Sequence, residues 1–177
     1  MPNEPDRALL WRFAQGDRDA FESLFRQFEG EVFRWVLRIV RDPSAAQDVV
    51  VETFWRAYRS RARFDVSRPL GAWLRRIATN AALDHLRDAR HRVGWKTLDE
   101  EVPAPERPDR DVEECVVLAF RKLPPKLQVV AILALVEEQP HAEIADALGV
   151  PIGTVKSRVF RATRLLRTEL ERMGIRS

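Results

Sequence analysis

The chain has 177 residues, enough for one ordinary domain or two small ones. Hydrophobic residues make up 45% and charged residues 32%, which excludes wholesale disorder. No stretch approaches the roughly 18 consecutive apolar residues of a membrane span. The lone cysteine, Cys115, excludes an internal disulfide and sits among Val116, Val117 and Leu118 as a small hydrophobe expected to be buried. Glu4, Asp6 and Arg7 stand where a signal peptide needs an apolar run, so the expectation is a cytoplasmic protein without membrane insertion. The net charge of +3 points to no partner, but its distribution is uneven. Residues 56–96 hold eleven basic and three acidic side chains, 97–114 two and eight, and 151–172 six and two. Two basic blocks flanking an acidic stretch read either as two footprints for a polyanion or as two arginine-rich solvated helix faces.

In chain order, Leu9, Leu10, Phe13 and Ala14 form an apolar face, Gly16-Asp17 interrupts it, and Ala20, Phe21, Leu24, Phe25 and Phe28 resume it at three-four spacing. Asp17 or Asp19 is the expected cap of this second helix. Val32, Val36, Ile39 and Val40 extend the pattern to Asp42-Pro43-Ser44, a turn with Ser44 as a cap candidate, and a helix from about Ala45 to Tyr58 follows. Arg59 to Pro69 is a short basic segment with Phe64 as its one large apolar residue. Pro69 suits the first turn of a helix from Leu70 to about Arg90, with Trp73, Leu74, Ile77, Ala78 and Ala81 on or beside one face. Periodicity stops over 93–111, where Pro103, Pro105 and Pro108 alternate with acids; this composition buries too little apolar surface to offset its ordering entropy and reads as a flexible linker. Periodicity returns at Val112, Cys115, Val116, Ala119 and Leu123. Pro124-Pro125 closes that helix and opens one carrying Val129, Val130, Ile132, Leu133 and Val136, and two shorter helices flank Gly149-Val150-Pro151. The expected fold is all-α, with helical domains 1–92 and 112–177 joined by the acidic linker 93–111.

Around Gly149 the pattern is that of a helix-turn-helix. Ile144, Ala145 and Leu148 face inward, Gly149 supplies the left-handed turn, Val150 plugs the gap, and Val155, Val159, Ala162 and Leu166 line the inner side of the second helix. Its other side carries Thr154, Ser157, Arg158 and Arg161, with Lys156 on the flank, donors suited to phosphates and base edges in a major groove. A helical hairpin with a solvated basic face has the same spacing.

Glu143-Ile144-Ala145 followed by Leu148-Gly149-Val150-Pro151-Ile152-Gly153-Thr154-Val155-Lys156-Ser157-Arg158 and Arg161-Ala162 resembles the minus-35-reading segment of bacterial RNA polymerase sigma factors of the extracytoplasmic-function (ECF) group. Pro140-His141-Ala142 stands where that family often has an aromatic residue. Ala46-Gln47-Asp48-Val49-Val50-Val51-Glu52-Thr53-Phe54 resembles its core-binding helix, with Gln47 and Val51 replacing the usual glutamate and glutamine. Asp48 and Glu52, four apart, share one face. The series Trp73, Leu74, Ile77, Ala78, Asn80, Asp84, Arg87 resembles its minus-10 helix, where Asn80 and Asp84 could read base edges and Arg87 clamp a phosphate. The resemblance implies an initiation subunit that binds the β′ and β subunits of core polymerase through Asp48 and Glu52. It further implies contacts to duplex and melted non-template promoter DNA through Arg61, Arg63, Phe64, Trp73, Asn80, Asp84 and Arg87, minus-35 contacts through Thr154, Lys156, Ser157, Arg158 and Arg161, and control by an anti-sigma factor. The basic loop would cradle a flipped base, and the acidic linker would thread polymerase channels.

An enzyme reading finds little support. His85, His91 and His141 lack metal-ligand spacing, Cys115 has no nearby partner, Asp84-His85 point about 100° apart on a helix, and no glycine-rich phosphate loop follows a strand. The expectation is therefore no catalytic residue, no metal and no cofactor. Competing readings are a dimeric helix-turn-helix regulator and a polymerase-associated factor without promoter choice.

Overall fold

The structure is a computed structural model that describes residues 5–92 and 111–175. Among the described residues it contains eight α-helices: α1 (Arg7–Ala14), α2 (Arg18–Val40), α3 (Pro43–Ser60), α4 (Leu70–Arg92), α5 (Val112–Lys122), α6 (Pro125–Ala131), α7 (His141–Leu148) and α8 (Ile152–Arg172). A 3-10 turn covers Arg61–Arg63 and a π-helical stretch Ile132–Val136. Two compact units are present, Met1–His85 with Asp146–Gly149, and Leu86–Ala145 with Val150–Ser177. The division runs through α4, which continues unbroken past the point where the units separate. Apart from Asp111, the expected linker 93–111 lies outside the described residues.

In the first unit the helix starts follow local chemistry. Asp17 caps α2, its Oδ1 accepting from the Ala20 amide at 3.0 Å, and Asp42 caps α3 by accepting from the Ala45 amide at 2.7 Å. The cap of α3 is therefore Asp42 rather than Ser44, because Pro43 already occupies the first helical turn, where its missing amide is harmless. Leu24, Phe28, Val32, Val36 and Ile39 bury one stripe of α2, and α3 packs on it through Ala46, Val49, Val50, Phe54 and Ala57. The buried hydroxyls and indole are paired: Thr53 donates to Val49 O at 2.7 Å, and Trp35 Nε1 donates to Thr79 Oγ1 at 3.0 Å while that hydroxyl donates to Arg75 O at 2.7 Å. Arg75 in turn reaches Glu31 Oε1 from Nη2 at 2.6 Å and lies over the Trp35 ring, which joins α4 to α2.

The second unit is organised by α8. Ala119, Leu123, Ala131, Ala162 and Leu166 form its core cluster, with Phe120, Leu127, Leu165 and Leu170 packed around it. Cys115 is buried as expected. Glu169 is only 4% exposed, and its charge is compensated by Lys122 Nζ at 2.6 Å and Arg172 Nη1 at 3.1 Å. Two features depart from the sequence expectation. The last helix is long, 21 residues, because nothing breaks its pattern before Gly174, which takes a positive φ of 85°. The helix begun at Pro125 widens into the π stretch, and Glu138 beyond it adopts a φ of 50°.

Two predictions arise from these local features. Asp17 is held below the usual carboxylate range, first by the hydrogen bond from Arg12 and then by the Ala20 amide. The stabilisation is present above the unfolded-state value of about 3.9 and is lost as pH falls through the lowered folded value. Acid titration followed by circular dichroism should therefore show Asp17→Asn losing less stability than the unmodified chain below about pH 4. Glu138 occupies backbone space that costs an L side chain about 1–2 kcal/mol, and glycine's extra chain entropy returns about 0.5–1 kcal/mol of that. Glu138→Gly should raise stability by about 0.5–1 kcal/mol in urea denaturation.

Candidate nucleic-acid and protein interfaces

On α3, alternation between buried and exposed positions leaves one outward stripe. Val49, Val50, Thr53 and Phe54 point into the core, while Asp48, Val51, Glu52 and Trp55 are exposed at offsets of three, four and seven. Val51 is 66% and Trp55 55% exposed, so two carboxylates flank an uncovered apolar pair. The sequence expectation named Asp48 and Glu52 and did not include Trp55, although its place one turn beyond Val51 was visible in the spacing. Glu52 accepts from Arg56 Nε at 2.7 Å, and the same guanidinium reaches Asp84 Oδ2 on α4 at 2.7 Å.

Of the residues expected on the minus-10 face, Asn80 and Arg87 are exposed and Asp84 is half-buried, and all three lie on one side of α4 because Thr79 and Leu83 are turned inward. The basic loop is differently built from its expectation. Phe64 is buried, 6% exposed, with its ring 4.9 Å from Trp73 and 6.4 Å from Phe13 between centroids. It anchors the loop to the core and is not presented for stacking on a base, because an aromatic gains more by joining this cluster than by facing water. Trp73 is half-buried in the same cluster. Arg61 also belongs to the framework: its guanidinium stands 4.4 Å from the Tyr58 ring centroid and donates from Nη1 to Tyr58 O at 2.8 Å. It lies so close to Gly16 that a Cβ there would come within 2.9 Å of the guanidinium nitrogens. Arg63, in contrast, is exposed.

The third face is on α8. The turn before it closes with Val150 donating its amide to Ala145 O at 3.0 Å, and Gly149 has the left-handed φ of 63° that the sequence expectation required. Val155, Ala162 and Leu166 are buried and Val159 is half-buried, which turns Lys156, Ser157, Phe160, Arg161 and Arg164 outward. Thr154 and Arg158 are half-buried at the edges of this face, and Ser157 Oγ donates to Thr154 O at 3.0 Å. No side chain caps the helix start, so its positive dipole end adds to the basic face. Phe160, 68% exposed between arginines, was not among the residues that the sequence expectation placed on this face. An apolar ring amid donors suits a surface that combines phosphate contacts with thymine methyl contact. Among the described residues no cluster of three or more His, Cys, Asp or Glu is arranged to hold a metal ion, and no helix is long and apolar enough to cross a membrane.

If Phe64 is a core anchor, Phe64→Ala should cost about 3 kcal/mol in denaturant unfolding, within the range for a buried phenylalanine. A side chain directed at DNA would leave that stability unchanged.

Comparison with known proteins places these faces in context. The family model for sigma-70 region 2 matches residues 24–92, and that for sigma-70 region 4 matches residues 113–166. The chain is 30% identical to the RNA polymerase sigma-H factor of Pseudomonas aeruginosa, with 97% of this chain and 96% of that protein covered. It is also 30% identical to the ECF RNA polymerase sigma factor SigW of Bacillus subtilis, covering 88% of this chain and 91% of that one. Among solved structures it is similar to CnrH in complex with the cytosolic domain of CnrY, with a TM-score of 0.56, 25% identity, and 94% and 97% of the two chains covered.

Proposed function

Because the chain belongs to the sigma-70 family of RNA polymerase sigma factors, in its ECF group, we propose that its three exposed faces divide the work of promoter engagement. As a sigma factor it directs RNA polymerase to promoters. Residues 1–92 form the polymerase-binding and promoter-melting domain, 93–111 the linker, and 112–177 the minus-35 domain. Asp48 and Glu52, with Val51 and Trp55 between and beside them, meet the β′ and β subunits. Their exposed acid-and-apolar stripe supports this, since a basic partner surface with a desolvated aromatic anchor is a common basis for tight docking.

Asn80, Asp84 and Arg87 face the minus-10 element, Arg63 adds phosphate attraction, and Phe64, Trp73 and Arg61 hold the loop that carries it. Strand opening needs no catalytic group. It needs stronger binding to separated strands than to duplex, by enough to offset unstacking of a few kcal/mol per step. The chain is accordingly a non-catalytic, cytoplasmic subunit without cofactor, and its partners are core polymerase, duplex and melted promoter DNA, and an anti-sigma factor. The seating of a separate protein domain on CnrH supports the last of these.

The observation that carries the reading is the face of α8: Lys156, Ser157, Phe160 and Arg161 exposed together on a helix whose opposite side is fixed by Val155, Ala162 and Leu166. Holoenzyme assembled from the full chain and core polymerase, tested against every single-base variant of a minus-35 element at fixed salt, probes it directly. Arg158→Ala and Arg161→Ala should each weaken binding by about 1–3 kcal/mol where the arginine reads a base, with preference relaxed at one base pair. A phosphate contact should instead give an even loss across sequences. Phe160→Ala should relax preference at a thymine by about 1 kcal/mol. Unchanged affinity and preference in all three variants would remove α8 from the DNA surface, and binding of core without any sequence-selective initiation would defeat the promoter-directing role.

A further inference from the structure

Arg56 stands where two of these faces approach each other. It lies one turn beyond Glu52 on α3, and its guanidinium serves carboxylates on two helices at once, Nε with Glu52 Oε1 and Nη1 with Asp84 Oδ2, both at 2.7 Å. All three side chains reach solvent, with 36%, 47% and 43% of Arg56, Glu52 and Asp84 exposed. The hydrogen bond to Glu52, and then that to Asp84, raises the guanidinium's pKa above its ordinary value, so the cation is permanent. Ion pairs at such a boundary add little to folding stability. What the fork does fix is geometry: its planar donors set the direction of one carboxylate relative to the other.

We propose that Arg56 is a positioning residue that couples polymerase engagement to promoter reading by holding Glu52 of α3 and Asp84 of α4 on one guanidinium. The inference rests on the assignment of Asp48 and Glu52 to polymerase and of Asn80, Asp84 and Arg87 to the minus-10 element. When a basic polymerase group draws Glu52 away, the guanidinium concentrates on Asp84, compensating a negative charge that would repel the DNA backbone and fixing the carboxylate toward a base amino group. By reciprocity, DNA against α4 favours Arg56 on Asp84 and releases Glu52 to polymerase. The two ligands therefore assist each other through one side chain that neither assignment included.

The test is a pair of double-mutant cycles on the full chain, reading holoenzyme affinity for a fork-junction DNA with its minus-10 base preference, and affinity for core. Arg56→Gln should lower DNA affinity about five-fold, the upper end for a solvent-accessible charge pair, and flatten the preference profile. In the Asp84→Asn background the same change should have almost no effect. Core affinity should rise about two-fold with Arg56→Gln, within the range for an exposed pair, and stay constant when it is made in Glu52→Gln. Arg56→Lys, which keeps the charge without the fork, should recover DNA affinity but not the preference profile. Additive effects in both cycles, or a lowered melting temperature with an unchanged profile, would overturn the proposal. If Arg56→Gln loses helical content, the DNA cycle is run with Arg56→Lys and read on the minus-10 base preference alone, where additivity counts against the proposal. Failure of the underlying assignment looks different: Asp84→Asn alone would leave the preference profile intact, whereas failure of the coupling alone leaves Asp84→Asn active and the cycles additive.

Discussion

The hydrogen bond from the Trp35 indole to the Thr79 hydroxyl sets the rotation of α4, and with it everything that α4 presents. Thr79 has a single proton and gives it to Arg75 O, so its oxygen is left to accept, and the indole is a donor that needs such an acceptor when buried. Turning α4 by one residue, about 100°, to bring Asn80 against Trp35 would force Thr79 and Leu83 into the fully buried places of Ala78 and Ala82, which have room only for a methyl group. The Glu31–Arg75 pair stacked beside the indole guards the same register from the helix surface. The outward direction of Asn80, Asp84 and Arg87 is thus a consequence of what is buried behind them.

The two units apply different chemistry to their surfaces. α3 leaves an apolar pair between acids, which suits a protein partner, whereas α8 leaves an apolar ring among cations, which suits a polyanion with methyl groups in its groove. The asymmetry in charge along the chain follows from this division, but the positive block of residues 56–96 is not one surface. Arg56 is committed to two carboxylates, Arg61 to Tyr58 and Arg75 to Glu31. Much of what looks in sequence like attraction for DNA is compensation within the fold.

What the sequence made legible was periodic. The buried stripe of α2, the inner side of α8, the proline at the start of α6 and the glycine of the helix turn all depend on neighbours within a few residues, and each was readable from spacing. The family likeness rested on the same local runs. What was not readable depends on distant partners or on competition between near equivalents. Arg56 and Asp84 are 28 positions apart, and no spacing rule pairs them. Phe64 looked like a lone aromatic on a basic loop because Phe13 and Trp73, which receive it, come from other helices. Asp42 and Ser44 are both good caps, and only the place of Pro43 within the first turn decides between them. The π stretch had no local signal, since its residues are ordinary helix formers.

The length of α8 has a mechanical consequence. The helix is held in the core at two places, by Val155 close to its start and by Ala162, Leu166 and Glu169 further on, while Lys156, Ser157 and Arg161 face outward between them. At a rise of 1.5 Å per residue, Ile152 stands about 21 Å from Leu166. A tilt of about 5° at Leu166 would displace that end by about 2 Å, the difference between a hydrogen bond made and one missed, and buried Val155 stands against it. The helix is a beam resting on two supports, so the aim of its reading side is set by the packing volume under both. Val155 and Ala162 have no exposed surface, and the side-chain volume allowed at each governs the direction of the residues between them.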